Sequence, residues 1–163
     1  MPDLYYLERN VLPEEQLLSI AKYIRETSKE GFRAGYYDSG AIQPQQIQSA
    51  LDICEKTFKD KYDLEFEKLD LVKFFGLIMK DGAENTSHSD ENDYHKADGV
   101  YYSAVLMLTD EYEGGEFYFE HEGVEIRLNA GDLVMFKGSS WHGVNPVTGG
   151  ERINIIIFFS NHQ

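Results

Sequence analysis

Residues 88–152 contain the pattern that decides the fold. They open on His88-Ser89-Asp90, reach Trp141-His142-Gly143-Val144, and end at Arg152, which heads the run Arg152-Ile-Asn-Ile-Ile-Ile-Phe-Phe159. Between the two histidine segments lie short apolar runs that glycine and acidic turns separate. Many short strands with turn signals at near-regular intervals predict a β-sandwich or jelly roll.

The two histidine segments have the composition of a metal site. His88 and Asp90 lie two residues apart, so an extended backbone would project both side chains on the same side. His142 would complete the set if the sheet folds back on itself. Two imidazoles and one carboxylate, with coordination positions left open, are typical of non-haem Fe(II) oxygenases.

Other interpretations of these residues stay open at this point. A His-x-Asp triplet is common by chance, and two histidines plus a carboxylate can also hold a hydrolytic zinc. No separate general base accompanies the set, and a zinc hydrolase would leave Arg152 unexplained. His95 is the rival ligand to His88, but residue 97 is alanine, so no carboxylate follows it at the same spacing.

Arg152 predicts a second function for the same region. A guanidinium at the head of so apolar a strand is costly to bury without a carboxylate partner. Its planar fork suits bidentate capture of a carboxylate. The expected partner is an acid that the metal needs as a cosubstrate.

Taken together, these motifs resemble a known family. His88-Ser-Asp90, Glu113-Gly-Gly-Glu-Phe-Tyr-Phe119, Gly131-Asp-Leu-Val-Met-Phe136, and His142 with Arg152 are similar in order and spacing to the prolyl 4-hydroxylase-like branch of the Fe(II)/2-oxoglutarate dioxygenases. The resemblance covers roughly residues 70–160. It implies a mainly β fold, a double-stranded β-helix or jelly roll, with two N-terminal helices packed outside.

The resemblance also implies roles for individual residues. Fe(II) would be held by His88, Asp90 and His142, and O2 would be the second substrate, with ascorbate as the reductant. The residues expected to contact 2-oxoglutarate are Arg152, Ser103, Tyr101 and Val144. Relatives carry a 2-oxoglutarate-binding tyrosine where this chain has Ile78-Met79, and Met107 stands where an aromatic residue is frequent. Tyr101 is the candidate replacement.

The expected reaction is that of a procollagen-proline dioxygenase-like enzyme, prolyl (4-)hydroxylation of a peptide or protein with release of succinate and CO2. One alternative is hydroxylation of a free amino acid or other small molecule. A different class of function is a non-catalytic jelly-roll module that senses metal and 2-oxoglutarate. The candidate substrate contacts are Arg33, Tyr36, Tyr37 and Trp141. Phe117, Val144 and Phe158 would be hydrophobic walls of the site or ordinary core residues.

Charge and composition limit the kinds of partner that the protein can have. The net charge of −14 argues against a broad nucleic-acid-binding face, which needs clustered Lys and Arg. It would attract a basic peptide, although a simply solvated acidic surface explains it equally well. The start of the sequence lacks a signal-peptide pattern, and no apolar run approaches membrane-spanning length. The sequence therefore predicts a cytoplasmic protein without a membrane partner, and we expect a monomer.

Local patterns predict one domain over residues 1–163, with helical support at 13–60 and the jelly-roll core at about 62–160. The first helix would start at Pro13 and end near Gly31, and the second would span 43–60, with the single cysteine, Cys54, in its buried face. Strands are predicted at 4–8, 62–67, 70–80, 100–108, 116–120, 124–128, 133–136 and 152–159. Segment 32–40 would be a glycine-punctuated loop or hairpin. Segment 91–99 would be a polar loop over the mouth of the site.

Overall fold

The computed structural model describes residues 2–31, 33–64, 69–93 and 100–161. The helices are α1 (Glu14–Thr27), α2 (Gln48–Lys61) and the short α3 (Asp90–Asp93). The strands are β1 (Tyr5–Glu8), β2 (Lys29–Glu30), β3 (Tyr36–Ser39), β4 (Leu69–Met79), β5 (Asn85–His88), β6 (Val100–Met107), β7 (Tyr112–Gly114), β8 (Phe117–Phe119), β9 (Val124–Ile126), β10 (Leu133–Lys137), β11 (His142–Val144), β12 (Val147–Gly150) and β13 (Arg152–Asn161).

Two antiparallel sheets form the jelly roll that the sequence predicts. The major sheet has seven strands in the order β1-β10-β6-β13-β4-β3-β2. The minor sheet has four strands in the order β5-β11-β8-β9, and β12 pairs with β7 in a separate ribbon. Neighbours in the major sheet are mostly distant in sequence, so residues from both ends of the chain meet within it.

Alternation along β6 divides the protein into two hydrophobic layers. Tyr102, Ala104 and Leu106 face a core that contains the buried residues of α1 and α2. Val105 and Met107 face the opposite way, into a second core shared with β8 and β11 of the minor sheet. This period of two is what a strand covered on both faces requires. The helices therefore cover one face of the major sheet, and the other face is left for the site.

The helix boundaries differ from the prediction in two places. α1 ends at Thr27 rather than Gly31, because Ser28 already has extended angles and Lys29–Glu30 pair with β3. The second helical segment begins as a 3-10 turn at Pro44–Ile47 before α2 continues to Lys61. Cys54 is fully buried in α2, as predicted.

Two strand and loop predictions also need correction. No strand begins at Tyr62, because α2 extends to Lys61 and Tyr62 donates its N–H to the carbonyl of Phe58, which caps the helix. The remainder of the predicted 62–67 strand lies largely outside the described residues. The predicted loop at 91–99 begins inside α3, and its part from 94 to 99, including His95, also lies outside them.

Membrane insertion by a helix finds no support in the described residues. None of their helices combines the length and the apolar character needed to cross a bilayer.

Phe58 is the test residue for the helix-facing core. Its ring is fully buried and lies 5.5 Å from that of Tyr102 and 5.7 Å from that of Phe159, between centroids. We expect Phe58→Ala to lower the free energy of unfolding by about 3–5 kcal/mol, because a large buried ring is replaced by a cavity. Urea denaturation measures this. The exposed Lys56→Ala on the same helix should change it by less than about 0.5 kcal/mol.

Candidate active site

Three potential metal ligands meet at the edge where the minor sheet closes on the major sheet. His88 ends β5, Asp90 begins α3, and His142 begins β11. β5 and β11 are antiparallel, and their register places His88 directly opposite His142. Directly opposite residues on antiparallel strands have adjacent side chains. The sheet register thus joins two histidines that lie 54 positions apart in the sequence.

The ligand atoms converge on one point. One ligand atom each from His88, Asp90 and His142 can be chosen so that all three lie within 4.8 Å of one another. Asp90 Oδ1 lies 3.3 Å from Nε2 of His88 and 3.5 Å from Nε2 of His142. The two imidazole centroids are 4.6 Å apart. These are distances at which one divalent ion can be shared.

Backbone carbonyls orient both rings. Nδ1 of His88 lies 2.8 Å from the carbonyl oxygen of Thr86, and Nδ1 of His142 lies 2.8 Å from that of Ser140. A carbonyl only accepts, so each Nδ1 is the protonated nitrogen and each Nε2 keeps its lone pair for a metal. Such supporting bonds fix the tautomer of metal-binding histidines. Phe117 and Phe136 pack against the ring of His142.

Asp90 is an ionised carboxylate in a buried position. Burial alone would raise the pKa of Asp90, but the neighbouring imidazoles of His142 and His88 and the hydroxyl of Ser103 together hold that pKa well below its ordinary range. The Ser103 hydroxyl donates to Asp90 Oδ2 over 2.6 Å. The carboxylate is therefore ready to bind a cation at neutral pH.

Arg152 carries an unpaired charge beside these ligands. It heads β13 and is 1% exposed; Nε donates to the Gly115 carbonyl over 2.9 Å and Nη1 to Asn154 Oδ1 over 2.8 Å. Nη2 donates to no acceptor among the described residues, and none of their carboxylates pairs with Arg152. Burial lowers the pKa of Arg152 to about 10, so the guanidinium remains charged at neutral pH.

An anionic ligand would satisfy this arginine. An unpaired buried charge costs several kcal/mol, and a guanidinium recovers most from a bidentate carboxylate. The orphaned Nη2 and the imidazole–carboxylate donor set thus fit 2-oxoglutarate and a divalent metal respectively. A keto acid chelating such a metal would present its distal carboxylate to Arg152.

The arginine and the metal ligands share one cavity of about 150 Å³. Its walls combine polar and apolar side chains, and the apolar ones include Phe117, Val144 and Phe158, which supports their predicted role as walls. Of the residues predicted to contact metal, cosubstrate or substrate, those that line it are His88, Asp90, His142, Arg152, Ser103, Val144, Arg33 and Tyr36.

Three predicted contacts lie outside the cavity lining. Tyr101 is buried with its ring 6.0 Å from that of Phe158, and its replacement of the family tyrosine stays a prediction. Tyr37 follows Tyr36 on β3 and therefore points to the opposite, helix-covered face of the sheet. Trp141 is 37% exposed and contacts His121 instead.

Sequence reasoning missed Asn154 and Tyr112. Asn154 follows Arg152 by two positions, so strand alternation alone could have placed it on the same face. It lines the cavity, accepts from Arg152 through Oδ1, and keeps its Nδ2 hydrogens as donors there. Tyr112 lies between two guanidinium groups, 3.7 Å from Cζ of Arg127 and 5.9 Å from that of Arg152, measured to its ring centroid.

Comparison with known proteins agrees with this geometry. The family model described as 2OG-Fe(II) oxygenase superfamily matches residues 74–160, more than half of the chain. The chain belongs to this superfamily. Dependence on Fe(II) and 2-oxoglutarate follows from that membership, and His88, Asp90 and His142 offer the metal site that it requires.

Curated relatives of this superfamily member are PKHD-type hydroxylases. One from Colwellia psychrerythraea is 39% identical over 64 residues, which are 37% of this chain and 29% of the relative. One from Teredinibacter turnerae is 44% identical over 63 residues, 36% of this chain and 28% of the relative. The matched segment thus spans less than a third of the length of these relatives.

Solved structures share the fold over nearly the whole chain. The viral collagen prolyl hydroxylase of Paramecium bursaria Chlorella virus-1 has a TM-score of 0.81, with 16% identity over 99% of this chain and 97% of that one. A Pseudomonas putida prolyl-4-hydroxylase has a TM-score of 0.72, with 23% identity and coverage of 98% and 94%. HygX from Streptomyces hygroscopicus, solved with nickel and 2-oxoglutarate, has a TM-score of 0.74, with 13% identity and coverage of 97% and 83%.

Removal of one imidazole tests the metal site. We expect His142→Ala to weaken Mn²⁺ binding more than about tenfold, because losing even a supporting partner of a ligand typically costs 10–100-fold. Isothermal titration under anaerobic conditions measures this. His121→Ala, an exposed histidine outside the site, is the matched control and should bind as the wild type does. Equal affinity in the two variants would contradict the assignment.

A matched glycine pair tests the arginine site. Gly115 and Gly123 have φ values of +65° and +66°, so alanine is strained by about 1–2 kcal/mol at both. At Gly115 the new Cβ would lie 3.0 Å from Arg152 Cδ, whereas at Gly123 it meets open space. We expect only Gly115→Ala to weaken 2-oxoglutarate binding to the Mn²⁺-loaded protein. Calorimetry measures this, and the same loss in Gly123→Ala would implicate backbone strain instead.

Proposed function

We propose that this protein is a 2-oxoglutarate-dependent dioxygenase that hydroxylates proline in a peptide or protein. In the proposed reaction 2-oxoglutarate, O2 and a substrate C–H bond give succinate, CO2 and a C–OH group. One oxygen atom enters the succinate and the other enters the alcohol. Ascorbate is the expected reductant for keeping iron in the ferrous state.

One observation carries the proposal: a charged arginine that pairs with no carboxylate of the described residues faces the same cavity as two imidazoles and a carboxylate. A hydrolytic zinc site does not by itself account for such an arginine. A keto acid uses both features together, because one end chelates the metal and the other neutralises Arg152.

The residues of the chain bind the metal, orient the cosubstrate and exclude water from the reacting C–H bond. His88, Asp90 and His142 would hold Fe(II) on one side of the cavity, and the ion supplies the oxygen activation when bound. Arg152 and Asn154 would hold the distal carboxylate. The side chains of Phe117, Val144 and Phe158 line an apolar space in which a reacting C–H bond is separated from bulk water.

Two kinds of support favour proline. The pyrrolidine ring is apolar around its reacting carbon, and Phe117, Val144 and Phe158 offer apolar surface for it in the cavity. Several proteins with the same fold over almost the entire chain are prolyl hydroxylases, including one from Trichoplax adhaerens solved with a hypoxia inducible factor peptide fragment. We propose that Arg33 and Tyr36, which line the cavity from β3 and the preceding loop, contact the peptide.

Arg33 also favours a second candidate, a small substrate with its own carboxylate. Arg33 Nη1 donates to the Glu84 carbonyl and to Asn85 Oδ1, each over 3.2 Å, which places this second cavity-lining guanidinium beside β5. A free amino acid could present its α-carboxylate to it. A proline within a peptide has a carbonyl group in place of that α-carboxylate, so the two candidates predict different sensitivity to loss of Arg33.

Arg152→Ala tests the cosubstrate assignment. We expect loss of 2-oxoglutarate-dependent succinate formation of at least about 100-fold, with most of the metal affinity retained, because Arg152 is not a metal ligand. The surface variant Arg25→Ala, whose partner is Glu151, should keep both properties. Unchanged 2-oxoglutarate binding and turnover in Arg152→Ala would sink the assignment.

A substrate panel tests the reaction. Proline-containing peptides and free amino acids are incubated with Fe(II), ascorbate and 2-oxoglutarate, and mass spectrometry follows substrate oxidation while succinate is quantified. A gain of one oxygen at proline with matching succinate is the expected result. Oxidation of a free amino acid alone would support the second candidate. Stoichiometric zinc without iron-dependent activity would overturn the proposal. Formation of neither succinate nor an oxidised substrate would also overturn it and would leave the sensor module.

A further inference from the structure

Each of the three candidate metal ligands has one group that fixes its orientation. For the two histidines that group is a backbone carbonyl, from Thr86 and Ser140. For Asp90 it is a side chain, the hydroxyl of Ser103 on β6. Backbone carbonyls persist through substitution, so Ser103 is the one orienting group of the three that mutation can remove.

The Ser103 contact separates the roles of the two carboxylate oxygens. Oδ1 of Asp90 faces the Nε2 atoms of both histidines at 3.3 and 3.5 Å. Oδ2 accepts the Ser103 hydroxyl at 2.6 Å, within the range of short hydrogen bonds to an ionised acceptor. A carboxylate held in this way offers one oxygen to the metal and has the other occupied.

Ser103 is itself immobilised by the sheet. It is 1% exposed, and its strand neighbours are Phe136 on β10 and Phe158 on β13. Since β6 is hydrogen-bonded on both sides, the backbone that carries the hydroxyl cannot follow a movement of Asp90. The contact therefore fixes the carboxylate rather than merely accompanying it.

The backbone of Asp90 is held from the same direction. Its N–H donates to the Gly138 carbonyl over 3.0 Å, and the Ser89 hydroxyl donates to the same oxygen over 3.2 Å. A Cβ at Gly138 would lie 2.8 Å from Tyr101 Cβ and 3.2 Å from Ser103 Oγ, so close packing leaves room only for glycine. Main chain and side chain of Asp90 are thus fixed separately.

We propose that Ser103 is a positioning residue that keeps Asp90 a one-oxygen metal ligand. The inference rests on the proposed function and deepens it. Without the hydroxyl, the side chain of Asp90 can rotate and bring its second oxygen to the ion. That oxygen would occupy a coordination position that a chelating keto acid needs.

The hydrogen bond from Ser103 to Asp90 limits what else the Ser103 hydroxyl can bind. A serine hydroxyl has one donor hydrogen, and that of Ser103 is directed to Asp90. It cannot also donate to a cosubstrate carboxylate. We assign that carboxylate to the donors of Arg152 and Asn154, in place of the direct contact expected for Ser103 from the sequence.

The test uses Co²⁺, whose visible spectrum reports coordination number and geometry without turnover. Ser103→Ala should still bind Co²⁺, with a changed spectrum, and the loaded variant should bind 2-oxoglutarate about 10–100-fold more weakly. Ser103→Thr keeps the hydroxyl and should restore both readouts. Ser89→Ala removes a neighbouring buried hydroxyl that contacts Gly138 rather than the carboxylate, and should behave as wild type.

The outcomes separate this inference from the proposed function. A wild-type spectrum and 2-oxoglutarate affinity in Ser103→Ala overturn the positioning role and leave the metal site in place. Equal changes in Ser89→Ala also overturn it, since they would show general loosening. Absence of Co²⁺ binding by the wild type refutes both. If Ser103→Ala does not fold, Ser103→Cys, which keeps the volume with a weaker donor, should shift both readouts in the same direction.

Discussion

The site depends on a buried positive charge that the protein leaves for a ligand to satisfy. Arg152 is held by the Gly115 carbonyl and the Asn154 amide, which fix its guanidinium without neutralising it. A buried charge without a counter-ion destabilises the folded protein until an anion binds, and binding of the anion recovers that free energy. The sheet around it supplies the rigidity that keeps the arginine from escaping to solvent. Binding of an acid should accordingly stabilise the protein against unfolding.

The two hydrophobic layers of the fold have different purposes. The layer under α1 and α2 is filled by aromatic and branched side chains. It supports β6, β13 and β4, which are neighbours in the major sheet. The layer between the sheets is incomplete at one end, and the cavity occupies that end. Ser103, Arg152 and Asn154 project from the strands that the helices hold. Rigid strands of the major sheet thus face the ligand-bearing strands of the minor sheet across a small gap.

The sequence was sufficient for the parts of the site that follow from alternation or spacing. The pairing of His88 with Asp90, the return of His142 and the charge of Arg152 could all be inferred, as could the jelly roll. Asn154 was within reach of the same rule. The partner of the Ser103 hydroxyl was not, because it depends on how far apart two sheets stand. Tyr37 shows the converse limit, since an aromatic side chain near a site in sequence can point into the helix-covered core.

The pairing of His88 with His142 across β5 and β11 has a consequence for how such a chain can change length. A residue inserted into either short strand would slide one imidazole off the other and turn its neighbour to the wrong face. Insertions at the exposed tip of the turn between β8 and β9 would leave that alignment untouched, since a side chain added at Gly123 meets open space. Length variation among natural or engineered versions of this domain should therefore be concentrated in turns and absent from the two histidine strands.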